Sequence, residues 1–294
     1  MSIEESSQFA SALLLCSRIG GWQIKVLGEN AEESSYVAMT SKLIAAVPRR
    51  GGLFQIEPDA SSGSYFWAAG WLAPVLGLKM AGFPEKPDLL GGSTVFKRYE
   101  SRAFCGVSVN DWPVSDWQID TSFPKLVCRK KPLIATTGRL NRLKLPLPAA
   151  LSRQTELGDS IMTAVVLGPF ASAPVRFTDL GRLRVQECER VAALRTELTK
   201  CGAKVVEEGD TLTVYASRLH GAEIETYNDH RLAMCFAILG LKVPGIKIKN
   251  PACVKKTFPN FFQKLAASPP GGLEATILDA KTGRKLEVSE LFAD

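Results

Sequence analysis

The chain has 294 residues, enough for one large domain or two ordinary ones. Its 46% hydrophobic and 22% charged residues are typical of a soluble globular protein. No stretch reaches the roughly 18 uninterrupted apolar residues that cross a bilayer, so we expect no membrane partner. The net charge of +6 suits a polyanionic partner, whereas two histidines and the absence of any Cys-x-x-Cys pair predict that there is no metal site.

Residues 1–57 predict two helices and two short strands in alternation. Ser6 or Ser7 can cap the first helix. The four elements in order are a helix over residues 6–17, a strand over 22–26, a helix over about 34–44 and a strand over 54–56.

Two later segments repeat the pattern of the opening helix, in which small hydroxylic residues precede an apolar run. They are residues 59–78 and residues 158–167. This recurrence hints at an internal repeat. Repeated strand–helix units predict α/β layers in which several helix N-termini point to one place.

The middle of the chain, residues 79–150, has the weakest pattern. Residues 118–123 predict a short helix, and proline-containing stretches predict loops. Six basic residues follow with no aromatic residue among them, so we interpret them as a solvated face and expect no nucleic-acid partner: Arg129, Lys130, Lys131, Arg139, Arg142 and Lys144.

The clearest predicted helix covers residues 184–201 and stops at Gly202. Glu187 lies on its apolar stripe. A carboxylate in that position either has a partner or lines a cavity, because burying it unpaired is costly. The alternative is an intrahelical Glu187–Arg190 pair of little consequence.

The remaining elements are short. The sequence predicts a hairpin over residues 203–214, a strand over 246–249, a loop over 250–260 that leads into the last helix, and a polar, peripheral tail from residue 269.

Residues 227–231 have the sequence Tyr-Asn-Asp-His-Arg and continue directly into an apolar, helix-like segment. Asn228 and Asp229 can cap that helix, which places His230 and Arg231 on its first turn. Two groups able to carry positive charge beside exposed N–H donors form an anion pocket. The alternative is a capped helix with a solvated arginine and a hydrogen-bonded histidine.

Four predicted helix starts carry polar groups that could form one site. Arginine binds carboxylate or phosphate through two N–H groups, lysine acts as a point charge, and a pair of carboxylates can move protons on a substrate. Neither a glycine-rich phosphate loop nor a Gly-x-Ser-x-Gly elbow is present, so we expect a small, doubly anionic substrate and no cofactor. The polar groups are Asp159, Glu187 with Arg190, His230 with Arg231, and Lys256.

Six motifs in the same order resemble the 3-phosphoshikimate 1-carboxyvinyltransferase (EPSP synthase) family. Each is weak alone, but six in order are specific. The last two favour the shikimate branch over the related enolpyruvyl transferase that acts on a UDP-sugar. The motifs are Ser-Ser-Gln-Phe at residues 6–9, Asp-Ala-Ser-Ser with Ser-Tyr-Phe at 59–66, Gly-Asp-Ser-Ile-Met-Thr at 158–163, Arg-Val with Glu187 and Arg190 at 184–190, Tyr-Asn-Asp-His-Arg at 227–231, and Lys-Thr-Phe-Pro at 256–259.

The resemblance implies an inside-out α/β barrel of repeated units in two lobes, with the first lobe truncated and the active site in the cleft. It divides the chain into a remnant of the N-terminal lobe (residues 1–58), a C-terminal lobe (59–268) and a peripheral tail (269–294). The implied reaction joins the enolpyruvyl group of phosphoenolpyruvate to the 5-hydroxyl of shikimate 3-phosphate, through a tetrahedral intermediate and with release of phosphate, in aromatic amino acid biosynthesis.

The resemblance also implies residue roles. Asp159 would face the reacting hydroxyl, and Glu187 would move a proton at the methylene carbon or position the third catalytic residue, Lys256. Phosphoenolpyruvate would be held by Gln8, Arg190, His230, Arg231 and Lys256. Shikimate 3-phosphate would be held by Ser6, Ser7, Gln8, Tyr36 and Asp159.

The chain also departs from the family pattern. Gln186 stands where the family has lysine, Cys188 and Glu189 replace threonine and aspartate, and Glu33 stands near the place of a substrate-binding serine. The family's long segment ahead of Ser-Ser-Gln-Phe has no counterpart here. Two alternatives therefore stay open: a non-catalytic binding protein, and one half of a split enzyme that an N-terminal segment completes.

The start of the chain and the cysteines predict the compartment. The acidic first residues are followed by no long apolar core, so we expect no secretion signal. Seven cysteines are then reduced thiols, and we expect a cytoplasmic protein.

Overall fold

The computed structural model describes residues 7–27, 31–48, 50, 52–72, 107, 109–127, 133–137 and 140–294. Helices and short strands are mixed in this part, which confirms the predicted α/β class. None of the helices in these ranges is long and apolar enough to span a membrane. The α-helices of the described part are α1 (Ser7–Gly20), α2 (Ala31–Ala46), α3 (Ala60–Leu72), α4 (Phe123–Leu126), α5 (Ile161–Leu167), α6 (Arg190–Lys200), α7 (His230–Gly240) and α8 (Phe261–Ala266).

The first part of the chain forms a helical pair, in which α1 and α2 pack against each other. Both expected helices therefore form, although Ser6 lies outside the described residues. The strands expected at 22–26 and 54–56 do not form in the described part. An alternating pattern gives a strand only where a neighbouring strand supplies the hydrogen bonds.

The helices α3, α5 and α7 form the centre of the described structure. Most side chains of α3 and all those of α5 are buried, and the three helices contact one another. Helices that are apolar on every side lie inside a protein. The hydroxyls of Ser64 and Thr163 share a hydrogen bond of 2.9 Å between α3 and α5. This packing fixes the N-termini of the three helices relative to one another.

A four-stranded mixed sheet extends this core. The strands follow the order β3-β4-β6-β5, in which β3 and β4 are parallel and the other two pairs are antiparallel. The hairpin expected over residues 203–214 is confirmed, and it turns at Gly209, whose φ of +56° suits glycine. Phe177 and Leu212 point into the helical core. The strands are β3 (Ala150–Ser152), β4 (Val175–Thr178), β5 (Val205–Glu208) and β6 (Thr211–Val214).

Two further strand pairs complete the described sheets. One is an antiparallel hairpin of β1 (Leu133–Thr137) and β2 (Leu140–Lys144), and the other is a parallel pair of β7 (Glu223–Ile224) and β8 (Lys247–Ile248). The expected solvated basic face falls here. Arg129, Lys130, Lys131 and Arg139 lie outside the described residues, as do the side chains of Arg142 and Lys144.

The helix predicted over residues 184–201 is shorter in the structure and begins at Arg190. Glu189 caps it by accepting a backbone N–H of the first turn, so the helix starts there. The preceding residues form a separate 3-10 turn, Gly181–Val185. The placement of Glu187 on the apolar stripe of the helix is therefore wrong, because this residue precedes the helix.

The C-terminal tail, expected to be peripheral, lies against α8. Its 3-10 turn Val288–Leu291 contacts that helix, and Leu291 is buried. The Ala293 N–H donates to the carbonyl oxygen of Pro259 (2.9 Å), just ahead of α8. The tail therefore covers one side of α8.

Candidate active site

The N-terminus of α7 is capped by one carboxylate that serves two elements. Asp229 Oδ1 accepts the Arg231 backbone N–H (2.7 Å), and Asp229 Oδ2 accepts from Arg190 Nε on α6 (2.6 Å). The predicted cap is therefore confirmed for Asp229 but wrong for Asn228. Asn228 has a left-handed backbone (φ 56°), and its side-chain oxygen accepts from Asn250 (3.1 Å).

His230 is the first residue of α7 and is 3% exposed. Burial, and then the positive charge of Arg231, lower the pKa of His230 to about 4. A histidine with that pKa is uncharged near neutral pH, so of the two residues it is Arg231 that supplies positive charge to the site. Within the described part its Nδ1 atom has no hydrogen-bond partner.

Three arginines surround the carboxylate of Asp159, which lies in the 3-10 turn Gly158–Ser160 just before α5. Arg153 Nη2 is 3.0 Å from Oδ1, and Arg231 Nη2 and Arg190 Nη1 are 3.4 and 3.8 Å from Oδ2. Burial alone would raise the pKa of Asp159, but Arg231, Arg153 and Arg190 together lower it to about 2. Asp159 is thus an ionised, largely buried acceptor near neutral pH.

Arg190 is completely buried and, besides Asp159, pairs with two further carboxylates. Besides its bond to Asp229, its Nη2 lies 2.6 Å from Glu187 Oε2, and its Nη1 donates to the side-chain oxygen of Gln186. The other oxygen of Glu187 accepts from Lys256 Nζ (2.5 Å). Burial opposes ionisation of Glu187, but the bond from Lys256 and the charge of Arg190 lower its pKa to about 2.

A cavity of about 200 Å³ opens beside Asp159 and Arg231. Tyr36 of α2 also lines it, and burial and then the charge of Asp159 raise the pKa of the Tyr36 hydroxyl. Ser61 borders the cavity at the start of α3, where its hydroxyl accepts from Arg231 Nη1 (3.1 Å). The N-termini of α3, α5 and α7 therefore meet at this cavity, which is the convergence that the repeated pattern predicts.

The structure brings together most of the predicted site residues. Ser7 is buried at the start of α1 and Gln8 is exposed, and neither lines the cavity. Ser6, the third residue expected at this end of α1, lies outside the described residues. The residues that line the cavity or pair with its lining are Tyr36, Asp159, Arg190 and Arg231, and through Arg190 the group extends to Glu187 and Lys256.

Arg153 and Asp120 are charged residues of the site that the sequence did not reveal. Arg153 lies in a single π-helical turn, Arg153–Leu157, and Asp120, which is 7% exposed, lies in the predicted short helix. The carboxyl of Asp120 accepts the backbone N–H of Ser160, 40 residues away, so no local spacing signals the contact.

The arrangement sets the chemistry that the site can perform. Guanidinium and ammonium groups can bind a small anion, and two ionised carboxylates beside them can accept protons from it. In the part of the chain that the structure describes, no group of three or more His, Cys, Asp or Glu residues could hold a metal ion.

The family model and the curated relatives that match this chain carry the same name. Residues 149–265 match the family model of EPSP synthase (3-phosphoshikimate 1-carboxyvinyltransferase). The 3-phosphoshikimate 1-carboxyvinyltransferase of Pseudomonas savastanoi pv. phaseolicola is 32% identical over 290 residues, and that of Rhizobium etli is 33% identical over 287 residues. Each match covers 89% of this chain and 58% of the relative, so the chain spans 58% of the length of these curated relatives.

Solved structures resemble the chain more distantly. An EPSP synthase from Acinetobacter baumannii has a TM-score of 0.46 and 19% identity, over 72% of this chain and 46% of that structure. The enolpyruvyl transferase NikO from Streptomyces tendae has a TM-score of 0.41 and 14% identity, over 71% of this chain and 42% of that structure.

Proposed function

We propose that this chain, whose residues 149–265 belong to the EPSP synthase family, takes part in the transfer of the enolpyruvyl group of phosphoenolpyruvate to shikimate 3-phosphate. One observation carries the proposal: an ionised carboxylate, Asp159, meets two arginines of different helices, Arg190 and Arg231, beside a small cavity. Both substrates are small polyanions, which such a cluster can bind.

The proposed reaction has two stages. In the first, the 5-oxygen of shikimate 3-phosphate bonds to C2 of phosphoenolpyruvate, its proton leaves to a base, and a proton is added to the methylene carbon C3. In the second, the bond from C2 to the phosphate oxygen breaks and C3 loses a proton. The products are the enolpyruvyl ether and inorganic phosphate.

We assign the base to Asp159, whose strength depends on the bound anion. A carboxylate whose pKa is about 2 is a poor base. An anion that binds Arg231, which lines the cavity, would draw its N–H groups away from Asp159. The pKa of Asp159 would then rise toward the range in which it can accept the hydroxyl proton. Phosphoenolpyruvate would in this way activate the base.

We assign the proton transfers at C3 to Glu187 and Lys256. Their side chains already share a hydrogen bond of 2.5 Å, and the Lys256 side chain is 58% exposed and can reach a ligand. Either group can hold the proton that C3 takes and later returns, while the other stabilises the resulting charge. The hydrogen bond from Arg190 to Glu187 supports this assignment, because it links the pair to the arginine cluster beside Asp159.

We assign shikimate 3-phosphate to the side of the cavity lined by Tyr36. Ser6, Ser7 and Gln8 at the start of α1 would join it when the first lobe, residues 1–58, closes against the second, residues 59–268. The position of Ser7 and Gln8 at the start of α1 supports this assignment, since N–H groups at a helix start can bind phosphate. His230 would add a neutral hydrogen-bonding ring on the phosphoenolpyruvate side.

We also propose that a complementing segment covers part of residues 7–57. Isolated exposed apolar side chains are normal, but this stretch has several. Phe9, Ile19, Leu53 and Ile56 are 62%, 94%, 97% and 71% exposed. Because the chain spans 58% of its curated relatives, the proposed occupant is a segment that corresponds to the unmatched part of those relatives.

Phosphate release from phosphoenolpyruvate and shikimate 3-phosphate tests the proposal. The assay uses this chain alone and with the unmatched segment of the Pseudomonas relative added as a separate polypeptide. We expect turnover with the added segment and its loss in Asp159→Asn. Turnover that survives this substitution would refute the assignment of the base. Binding of both substrates without turnover would instead favour a non-catalytic binding protein.

A further inference from the structure

Asp120 contacts the turn that contains Asp159. Its Oδ1 accepts the Ser160 N–H at 2.7 Å, and a Cβ atom added at Gly158 would lie only 2.7 Å from its Oδ2. Gly158 also has a φ of +52°, which favours glycine. Asp120 therefore contacts the residues on both sides of Asp159.

The two carboxyl groups lie in opposite environments at one cavity. Asp159 has three arginine partners, whereas no Lys, Arg or His of the described part forms an ion pair with Asp120. Burial, and then the negative charge of Asp159, raise the pKa of Asp120 to about 7, although the Ser160 N–H opposes this. Environments that move the pKa values of two neighbouring carboxyl groups in opposite directions are typical of functional pairs.

The groups that face Asp120 come from four elements. Tyr36 is on α2, Asp59 and Ser61 lie at the start of α3, Asp159 precedes α5, and Arg231 is on α7, and all of them line the same cavity as Asp120. The pKa of Tyr36 is raised by burial, and that of Asp159 is lowered by its arginines. Asp159 also raises the pKa of Arg231, against the effect of burial. These three groups therefore keep one charge state between pH 6 and 8.

We propose that Asp120 is a positioning residue that holds the Asp159 turn in place and, by gaining or losing its proton, sets how strongly the cavity binds an anion. The proposal rests on the proposed function only in placing an anion at Arg231. When Asp120 is protonated, Arg231 faces one negative charge fewer and can accept an anion. When Asp120 ionises, its added negative charge faces Arg231 and opposes the anion.

The test is to measure the affinity for sulfate by calorimetry between pH 6 and pH 8, a range in which the charge of sulfate is constant. We expect wild-type affinity to fall by roughly threefold to tenfold over this range, as a coupling of half to one pKa unit gives. Asp120→Asn keeps an acceptor for the Ser160 N–H but cannot ionise, so its affinity should stay constant. Asp116→Asn, at a side chain that is 77% exposed, is the matched control and should keep the wild-type slope.

Several outcomes would overturn the inference. One is an equal pH slope in wild type and Asp120→Asn, and another is undetectable sulfate binding in wild type. A third is an Asp120→Ala variant, which lacks the acceptor, that binds sulfate with wild-type affinity at both pH 6 and pH 8. Should that variant not fold, the Asp120→Asn profile decides alone. Loss of enolpyruvyl transfer with an intact sulfate profile would count against the proposed function and not against this inference.

Discussion

Arg190 and Asp229 form an ion pair in which neither side chain is exposed, with Nε and Oδ2 2.6 Å apart. The other oxygen of Asp229 caps α7, so a single carboxylate joins α6 to α7. Burying two charges is favourable only when their remaining hydrogen-bonding capacity is used, and here Glu187 and Gln186 occupy the rest of Arg190. The candidate site is therefore part of the core.

The first prediction concerns this ion pair. Asp229→Ala should lower the free energy of unfolding by about 3–5 kcal/mol, because it leaves a buried guanidinium without its main partner and removes a helix cap. Urea denaturation would measure the change. Glu189→Ala removes the more exposed cap of α6 and should cost only about 1 kcal/mol. Equal losses in the two variants would contradict the prediction.

The second prediction concerns Gln186, which stands where the resembling family has lysine. Its amide oxygen accepts from Arg190, a bond that an ammonium group cannot form. Gln186→Lys should lower the melting temperature of the ligand-free protein, because it places a cation against a buried arginine. It should also strengthen sulfate binding by roughly tenfold, as one added charge-assisted hydrogen bond would.

Val185→Lys is the control for Gln186→Lys. The Val185 side chain is 68% exposed, so this variant adds the same charge one residue away in solvent. It should leave the melting temperature and sulfate affinity close to wild type. The same gain in sulfate affinity from both variants would mean that net charge alone, and not a hydrogen bond from the lysine at position 186, is responsible.

The third prediction concerns acid stability. The folded-state pKa of Asp159 is about 2, against an ordinary value of 3.8, so its stabilising effect is present above pH 4 and is lost as pH falls through 2. Asp159→Asn should therefore be less stable than wild type by on the order of 2 kcal/mol at pH 7. The difference should shrink toward pH 2. Denaturant titration at several pH values would measure it, and a difference independent of pH would contradict it.

The fourth prediction concerns the loop before α7. Glu197 of α6 is fully buried and accepts from Tyr227 Oη, Lys200 Nζ (both 2.8 Å) and the Glu225 N–H (3.1 Å). Tyr227→Phe should cost about 1.5–3 kcal/mol, the usual value of a hydrogen bond to a charged group. Tyr215→Phe keeps the ring beside Lys204 and should cost less. The unfolding free energies of the two variants test this difference.

Much of the site could be predicted because its residues stand in short polar motifs at helix starts. The cap at Asp229 was predicted because a polar cluster runs directly into an apolar, helix-like segment, and the structure shows that cap. Arg190, Arg231 and Asp159 were predicted from motif order and lie together. Each of these features depends on residues that are close together in sequence, so the sequence pattern predicts it.

What failed to be predicted depends on contacts between distant residues. The charge state of His230 follows from burial and from Arg231, and the pattern shows the neighbour but not the burial. The contact of Asp120 with Ser160 crosses 40 residues. The start of α6 was placed too early because Glu189, which caps it, resembles any other helical glutamate in the sequence.

The meeting of α3, α5 and α7 at one cavity has a consequence for how substrate preference can change. Each of these helix starts already has a carboxyl group on it: Asp59 accepts the Ser61 N–H, Asp120 the Ser160 N–H and Asp229 the Arg231 N–H. These carboxyl groups offset the partial positive charge of the helix starts, so the arginine side chains must supply the attraction for an anion. Substitution of Arg231 should therefore change which molecules the cavity binds without any change of the fold.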